Sequence, residues 1–257
     1  MNHDGVDVAV LGQVEVTGAA GPFHRSAALE LVVYLAFHRR GVRHSEWSLA
    51  LWPERPVAPS TVHSTASDAR RALGRAADGR AHLPRGVELQ LLDTVTTDVE
   101  RFTTLATGDD PRHIVSAMRL VRGPLFAGLQ RTDWAVFDGT EAEIESLVVR
   151  TALRGADACV GMGCVDEAEW VVRKALLVSP YDERLYRALL TATAAQGNQV
   201  RLRAAMAHLQ TLAGVVGAPA TRRASDTLPD CFHPETTALY RDLLEGSPAA
   251  GGHPARL

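Results

Sequence analysis

Ten histidines, three cysteines, four tryptophans and a cluster of carboxylates are the side chains of this 257-residue sequence best suited to bind a metal, attack a substrate or stack on a ring. Their spacing argues against most of that chemistry. Zinc hydrolysis on a helix needs two histidines one turn apart beside a carboxylate, and no H-E-x-x-H is present. His38 and His44 fall at the ends of expected helices, where a protonated imidazole favours the dipole, and His208 falls on a later helix. Cys159, Cys164 and Cys231 are odd in number and lack C-x-x-C spacing, which fits reduced thiols better than a zinc site or a disulfide framework. Asp138, Glu141, Glu143 and Glu145 open a helix, and acidic side chains stabilise such a terminus without catalysis. Trp47, Trp52, Trp134 and Trp170 read as packing anchors more readily than as a ligand platform. No nucleophile elbow is present, and no Walker loop forms around Lys174, the single lysine. The sequence is therefore not read as an enzyme, and no cofactor or metal is expected.

One polar surface remains. Pro59-Ser60 opens a helix in which Val62, Ala66, Ala69 and Leu73 recur at i, i+4, i+7 and i+11 and form a buried stripe. The opposite face carries Thr61, Ser64, Asp68 and Arg71, with His63, Ser67 and Arg70 at its flanks. The elements that must position this face precede and follow it. Val6 to Thr17 alternates as one bulged strand or two short ones, ending in the turn Gly18 to Pro22. Ser26 is expected to cap a helix with the apolar face Leu29, Val32, Val33, Leu35 and Ala36, stopping at Arg39-Arg40-Gly41. Ser45 starts a shorter helix that Pro53 breaks. After the polar helix, His82 to Leu89 reads as a hairpin turning at Arg85-Gly86, its second strand running to about Leu92. Strands, three helices and a terminal hairpin make a winged helix.

From Asp98 the pattern is helical: Val99 to Thr107, Pro111 to Val121, then Trp134 to about Val160. Gly163 and Gly197 follow at a separation of 34 residues, the tetratricopeptide period, each inside a helix–turn–helix pattern. Small residues (Ala158, Gly161 and Ala168; then Ala192, Ala195 and Ala204) would let paired helices approach closely. Two repeats fall short of the roughly three that bury a solenoid core, so flanking helices must complete the stack, including one from Thr236 to Glu245. A long loop is expected over 214–234. The fold class is thus mainly α with a small β component: a winged helix-turn-helix over 6–96, an all-α tetratricopeptide-like domain over 97–246, and a disordered tail at 247–257.

Charge and termini bound the partners. The N-terminal stretch carries early acidic residues and no long apolar run, so neither a signal peptide nor a membrane span is expected. The formal charge is −3. Residues 1–97 balance ten arginines against ten acidic residues, which argues against a broadly basic nucleic-acid binder while leaving room for a local patch.

Order and motifs together resemble the actinobacterial transcriptional activators of the antibiotic-regulatory (SARP) type, in which an OmpR-like winged helix precedes a bacterial transcriptional activation domain. The stretches that carry the resemblance are VAVLGQVEV, ALELVVYLAFHRRGV, LALWPERPV, STVHSTASDARRALGR, the run Asp98-Val99-Glu100-Arg101-Phe102, the loop Arg122-Gly123-Pro124-Leu125, and Pro180 to Tyr186. The resemblance implies that the third helix enters the major groove of double-stranded DNA, with Ser60, Thr61, His63, Ser64, Ser67 and Arg71 facing bases and phosphates. It places Arg85 at the hairpin tip, toward the minor groove or phosphates. It further implies a cytoplasmic regulator with RNA polymerase as partner, working as a dimer or tandem pair. Family members usually place a basic residue near the position of Asp68, and a carboxylate facing phosphates repels them unless an arginine such as Arg71 or Arg75 neutralises it. The rival reading is a protein-interaction or sensory module whose winged helix does not grip DNA.

Overall fold

Valines alternate along the first strand because one side of it is the floor of a core. Strands β1 (Val6–Ala9) and β2 (Glu15–Thr17) pair antiparallel with Val8 opposite Val16, as expected from the alternation. The sequence reading missed the third member. Val95–Thr97 forms β5, which runs parallel to β1 on its other edge, so the sheet order is β2-β1-β5 and the earliest strand is its centre. Val6, Val8, Val10 and Val95 are fully buried. The computed structural model describes residues 5–108, 110–215 and 232–245. Most of the loop expected at 214–234, and the tail at 247–257, lie outside the described residues.

Three helices pack beside the sheet: α1 (Ser26–Phe37), α2 (His44–Leu51) and α3 (Pro59–Leu73). Leu31, Val32, Val33 and Leu35 of α1, Trp47 of α2 and Leu73 of α3 are all fully buried. Two start and stop signals differ from expectation. Ser26 makes no cap; Arg25 holds that place without a side-chain bond, and the helix ends at Phe37, before the basic pair Arg39-Arg40. The hairpin also differs: strand β4 is only Glu88–Leu89 and pairs with β3 (Val42–Arg43), which lies before α2. The 82–92 segment is closed by a single backbone bond, Leu92 N–H to the His82 carbonyl at 2.9 Å.

Helix α4 (Asp98–Ala106) starts on a capping box in which Thr97 Oγ1 accepts from the Glu100 N–H and Glu100 returns a bond to the Thr97 N–H, satisfying two end donors at once. Helices α5 (Pro111–Arg119), α6 (Asp133–Phe137) and α7 (Thr140–Gly161) follow. The single helix expected from Trp134 is broken at Asp138-Gly139, where Asp138 Oδ1 accepts from the Thr140 N–H and restarts the chain as α7. The segment between α5 and α6 lies along the N-terminal strands: Arg122 N–H donates to Leu11, Phe126 N–H to Val10 and Ala127 N–H to Gly12, while Val14 N–H donates back to Ala127. Asp98 fixes the same corner, its buried carboxylate accepting from the Val10 and Leu11 N–H groups at 2.8 and 3.0 Å. Burial pushes that carboxyl up from its ordinary range. These bonds cross the boundary expected at 96/97, which falls inside the first compact unit, a unit that runs through Val148.

The second unit, from Val149, holds the rest of α7 with α8 (Val165–Ala175), α9 (Glu183–Ala195), α10 (Gln199–Val215) and α11 (Pro234–Glu245). Gly163 and Gly197 take φ of +77° and +67° at equivalent interhelical turns. Nothing lies within 4 Å of a Cβ built on either, so the left-handed backbone, and not close helix approach, is what calls for glycine there. Of the small residues read as packing contacts, only Ala168 and Ala192 are buried, whereas Gly161, Ala195 and Ala204 are exposed. The core is instead built from Val171, Val172, Leu185, Leu189, Leu190, Leu202 and Leu209. Helix α11 caps the stack through buried Thr236 and Tyr240, with the leucines Leu239, Leu243 and Leu244 half-buried. Its Tyr240 hydroxyl accepts from Gln210 at 2.6 Å.

Candidate functional site

Helix α3 owes its orientation to its one carboxylate. Asp68 was expected on the exposed face, but it is 4% exposed and accepts the N–H groups of His24 and Arg25 at 3.1 and 3.0 Å. These are the donors that precede α1, so Asp68 supplies from a neighbouring helix the anchor that Ser26 does not. Thr65, Ala66, Ala69, Ala72 and Leu73 are buried with it. The buried arc is therefore wider than the four-residue stripe and is turned toward Asp68. Arg71 Nη1 stands 3.4 Å from Asp68 Oδ1 while the rest of its side chain is exposed.

That rotation decides which polar residues face outward. Ser60, His63, Ser67 and Arg71 are exposed and share one stripe at i, i+3, i+7 and i+11. Thr61 and Ser64 are half-buried at its margin, and Ser64 Oγ is engaged in donating to the Thr61 carbonyl at 3.0 Å. No carboxylate lies on the stripe, because Asp68 is the only acidic residue of α3.

Arg85 comes from a separate element, the exposed loop between His82 and β4. Buried Leu83 and Leu89 hold the loop at its two ends, leaving Val87 84% exposed near its tip. His44 Nδ1 meets the Val87 carbonyl at 3.3 Å, and the His44 ring lies 5.9 Å from that of His63. The loop, the start of α2 and the outer face of α3 thus converge. Burial lowers Arg70 from its ordinary value, and the like charge of Arg85 adds to the effect, which places the two guanidinium groups within electrostatic reach of one another. Sequence reasoning had put Arg70 only at the flank and had not joined it to Arg85. His44 was expected at a helix end where its imidazole favours the dipole; it is the first residue of α2, at the positive end. The helix start expected at Ser45 was the sequence signal for its place.

This arrangement offers hydroxyl, imidazole and guanidinium donors on a helix face, with a second cationic group on a flanking loop. It can bind an extended anionic or base-lined surface through hydrogen bonds.

Residues 94–228 match the family model described as the bacterial transcriptional activator domain. A search of curated proteins found no match. Among solved structures the chain is similar to EmbR of Mycobacterium tuberculosis, determined in complex with a low-affinity phosphopeptide, with a TM-score of 0.61 at 24% identity. The match covers 95% of this chain and 66% of that one, so this chain spans less than two thirds of its length. That likeness bears on fold: a winged helix followed by helical repeats.

Proposed function

The chain belongs to the bacterial transcriptional activator domain family, with the winged-helix and repeat order of SARP-type regulators, and from that premise we propose that it regulates transcription by binding promoter DNA through α3. Ser60, His63, Ser67 and Arg71 meet the major groove, Thr61 and Ser64 lie at its edge, and Arg85 reaches a phosphate or the minor groove. A guanidinium bonds guanine O6 and N7 together, which makes Arg71 the base reader of the set. The helical repeats then receive RNA polymerase, with a second copy of the chain filling a repeated half-site. Such work on chromosomal DNA belongs to the cytoplasm, and among the described residues no helix is long and apolar enough to cross a membrane.

The observation that carries this reading is the removal of Asp68 from the outer face of α3. With the carboxylate spent on His24 and Arg25, the stripe presents only neutral and basic groups. The charge balance of residues 1–97 favours the rival, a protein-interaction module without DNA. A polarisation titration on labelled genomic duplexes at 50 and 200 mM salt separates the two. Two to three phosphate contacts give a log–log slope of about −1.8 to −2.7, so affinity should fall roughly 10- to 40-fold between those salts. A flat salt response would remove DNA contact from the proposal.

A further inference from the structure

Cys159 lies in the last turn of α7 and Cys164 stands immediately before α8, on either side of Gly163. The Cys164 N–H donates to the Cys159 carbonyl at 2.8 Å, and the Gly163 N–H donates to the Val160 carbonyl at 3.0 Å. With Gly163 left-handed, these are the two bonds of a Schellman turn, a motif that commonly brings into contact the side chains held here by the two cysteines. A backbone hydrogen bond of this length limits their Cα separation to about 6.7 Å at most, inside the span a disulfide bridges.

The matching turn 34 residues on shows what these places hold when they serve structure. Thr193 donates its hydroxyl to the Leu189 and Leu190 carbonyls at 2.9 and 3.1 Å. Asn198 caps α10, its Oδ1 accepting from the Val200 and Arg201 N–H groups at 3.2 Å. Cys164 makes no such cap on α8. Two hydrogen-bonding residues in one repeat are replaced by two thiols in the other, one buried and one exposed. Burial pushes the Cys159 thiol up, with Cys164 and Glu167 adding to the rise, so Cys164 is the sulfur an oxidant meets first.

We propose that Cys159 and Cys164 are a reversible dithiol–disulfide pair that peroxide oxidises. Cys164 loses its proton and attacks one peroxide oxygen; the S–O bond forms, the O–O bond breaks, and hydroxide leaves to become water. Cys159 then loses its proton and attacks Cys164 Sγ; the S–S bond forms, the S–O bond breaks, and the second hydroxide leaves as water. Two thiols and one peroxide give one disulfide and two waters.

The full chain, reduced and then treated with hydrogen peroxide, tests this by alkylation and tryptic mapping. Arg154 and Arg173 bound one peptide containing both cysteines. That peptide should lose two hydrogens, resist alkylation, and recover two alkylatable thiols on reduction. Cys159→Ser should abolish the bridge and leave Cys164 as a sulfenic acid that a dimedone-type probe captures, and Cys231→Ser should leave the bridge intact. A bridge from this peptide to Cys231 or to a second chain, or a captured sulfenic acid accumulating in the unaltered chain as in Cys159→Ser, overturns the pairing. The map of the unaltered chain decides the question even if a variant fails to fold.

Discussion

Asp68→Ala tests the placement on which the DNA-facing stripe depends. The carboxylate accepts two backbone N–H groups, from His24 and Arg25, at ordinary hydrogen-bond lengths. A fully buried donor left without an acceptor costs about 1–3 kcal/mol, and both bonds here are part-buried, so water recovers a share and the expected loss is about 2–3 kcal/mol. For a unit of this size that lowers the unfolding midpoint by roughly 4–12 °C. Circular dichroism on the full chain should show the drop in the transition of the N-terminal unit. Both N–H groups reach the same oxygen, Oδ2, so Asp68→Asn, with its amide oxygen in that place, keeps both bonds and should lose clearly less, only the share that the negative charge adds. Arg71 loses only a 3.4 Å partner, so affinity for duplex, measured below the transition, should stay within about twofold. An Asp68→Ala protein as stable as the parent and tighter on DNA would return the carboxylate to the groove face and refute the argument.

Three further outcomes follow from the same geometry. Arg71→Ala should cost roughly 1–3 kcal/mol of sequence-specific binding while Arg85→Ala weakens all duplexes alike, as a competition titration with mismatched sites would reveal. Gly163→Ala and Gly197→Ala should each destabilise the C-terminal unit by about 1–2 kcal/mol, with valine costing more and asparagine least; equal stability of alanine and glycine forms in urea would mean that the turns tolerate a right-handed backbone. Burial holds the His82 imidazole below its ordinary 6.5, so as pH falls below about 6.5 the unfolded chain binds the proton first and the N-terminal unit loses stability. Asp98, raised by burial, has the opposite sign at lower pH, since its folded form gains the proton first. Urea midpoints at pH 7.5 and 5.5 should converge in His82→Gln, and an unchanged difference would remove His82 as the source.

What the sequence revealed was set by local spacing. The 34-residue glycine period, the helices α1 to α5 and the outward residues Ser60, His63, Ser67 and Arg71 follow from periodicity or from the resemblance that periodicity supported. What it hid was set by partners far along the chain. Val95–Thr97 gave no strand signal of its own because its partner is β1. Asp68 sits at an angle on α3 that a helical wheel leaves ambiguous, and only the nearness of His24 and Arg25 settles its burial. The hairpin failed for the same reason, since Leu89 pairs with Val42 and not with a strand beside it. Thiol pairing was invisible because C-x4-C is not a recognised redox spacing; a Schellman turn makes it one.

The central position of β1 has a consequence for synthesis. Its hairpin partner β2 emerges from the ribosome almost at once, but β5 is made 89 residues after it, judged from Val8 to its partner Thr97, and Ala127, which bonds to Gly12 and Val14, later still. At roughly 5–20 residues per second, the nascent hairpin waits about 4–18 s with one edge of β1 unpaired. An unpaired apolar edge templates pairing with other chains. In the finished protein Val6, Val8 and Val10 are sealed, so the hazard belongs to the first seconds of the chain's life, when a slow ribosome or a crowded polysome would turn this strand toward its neighbours before its own partner exists.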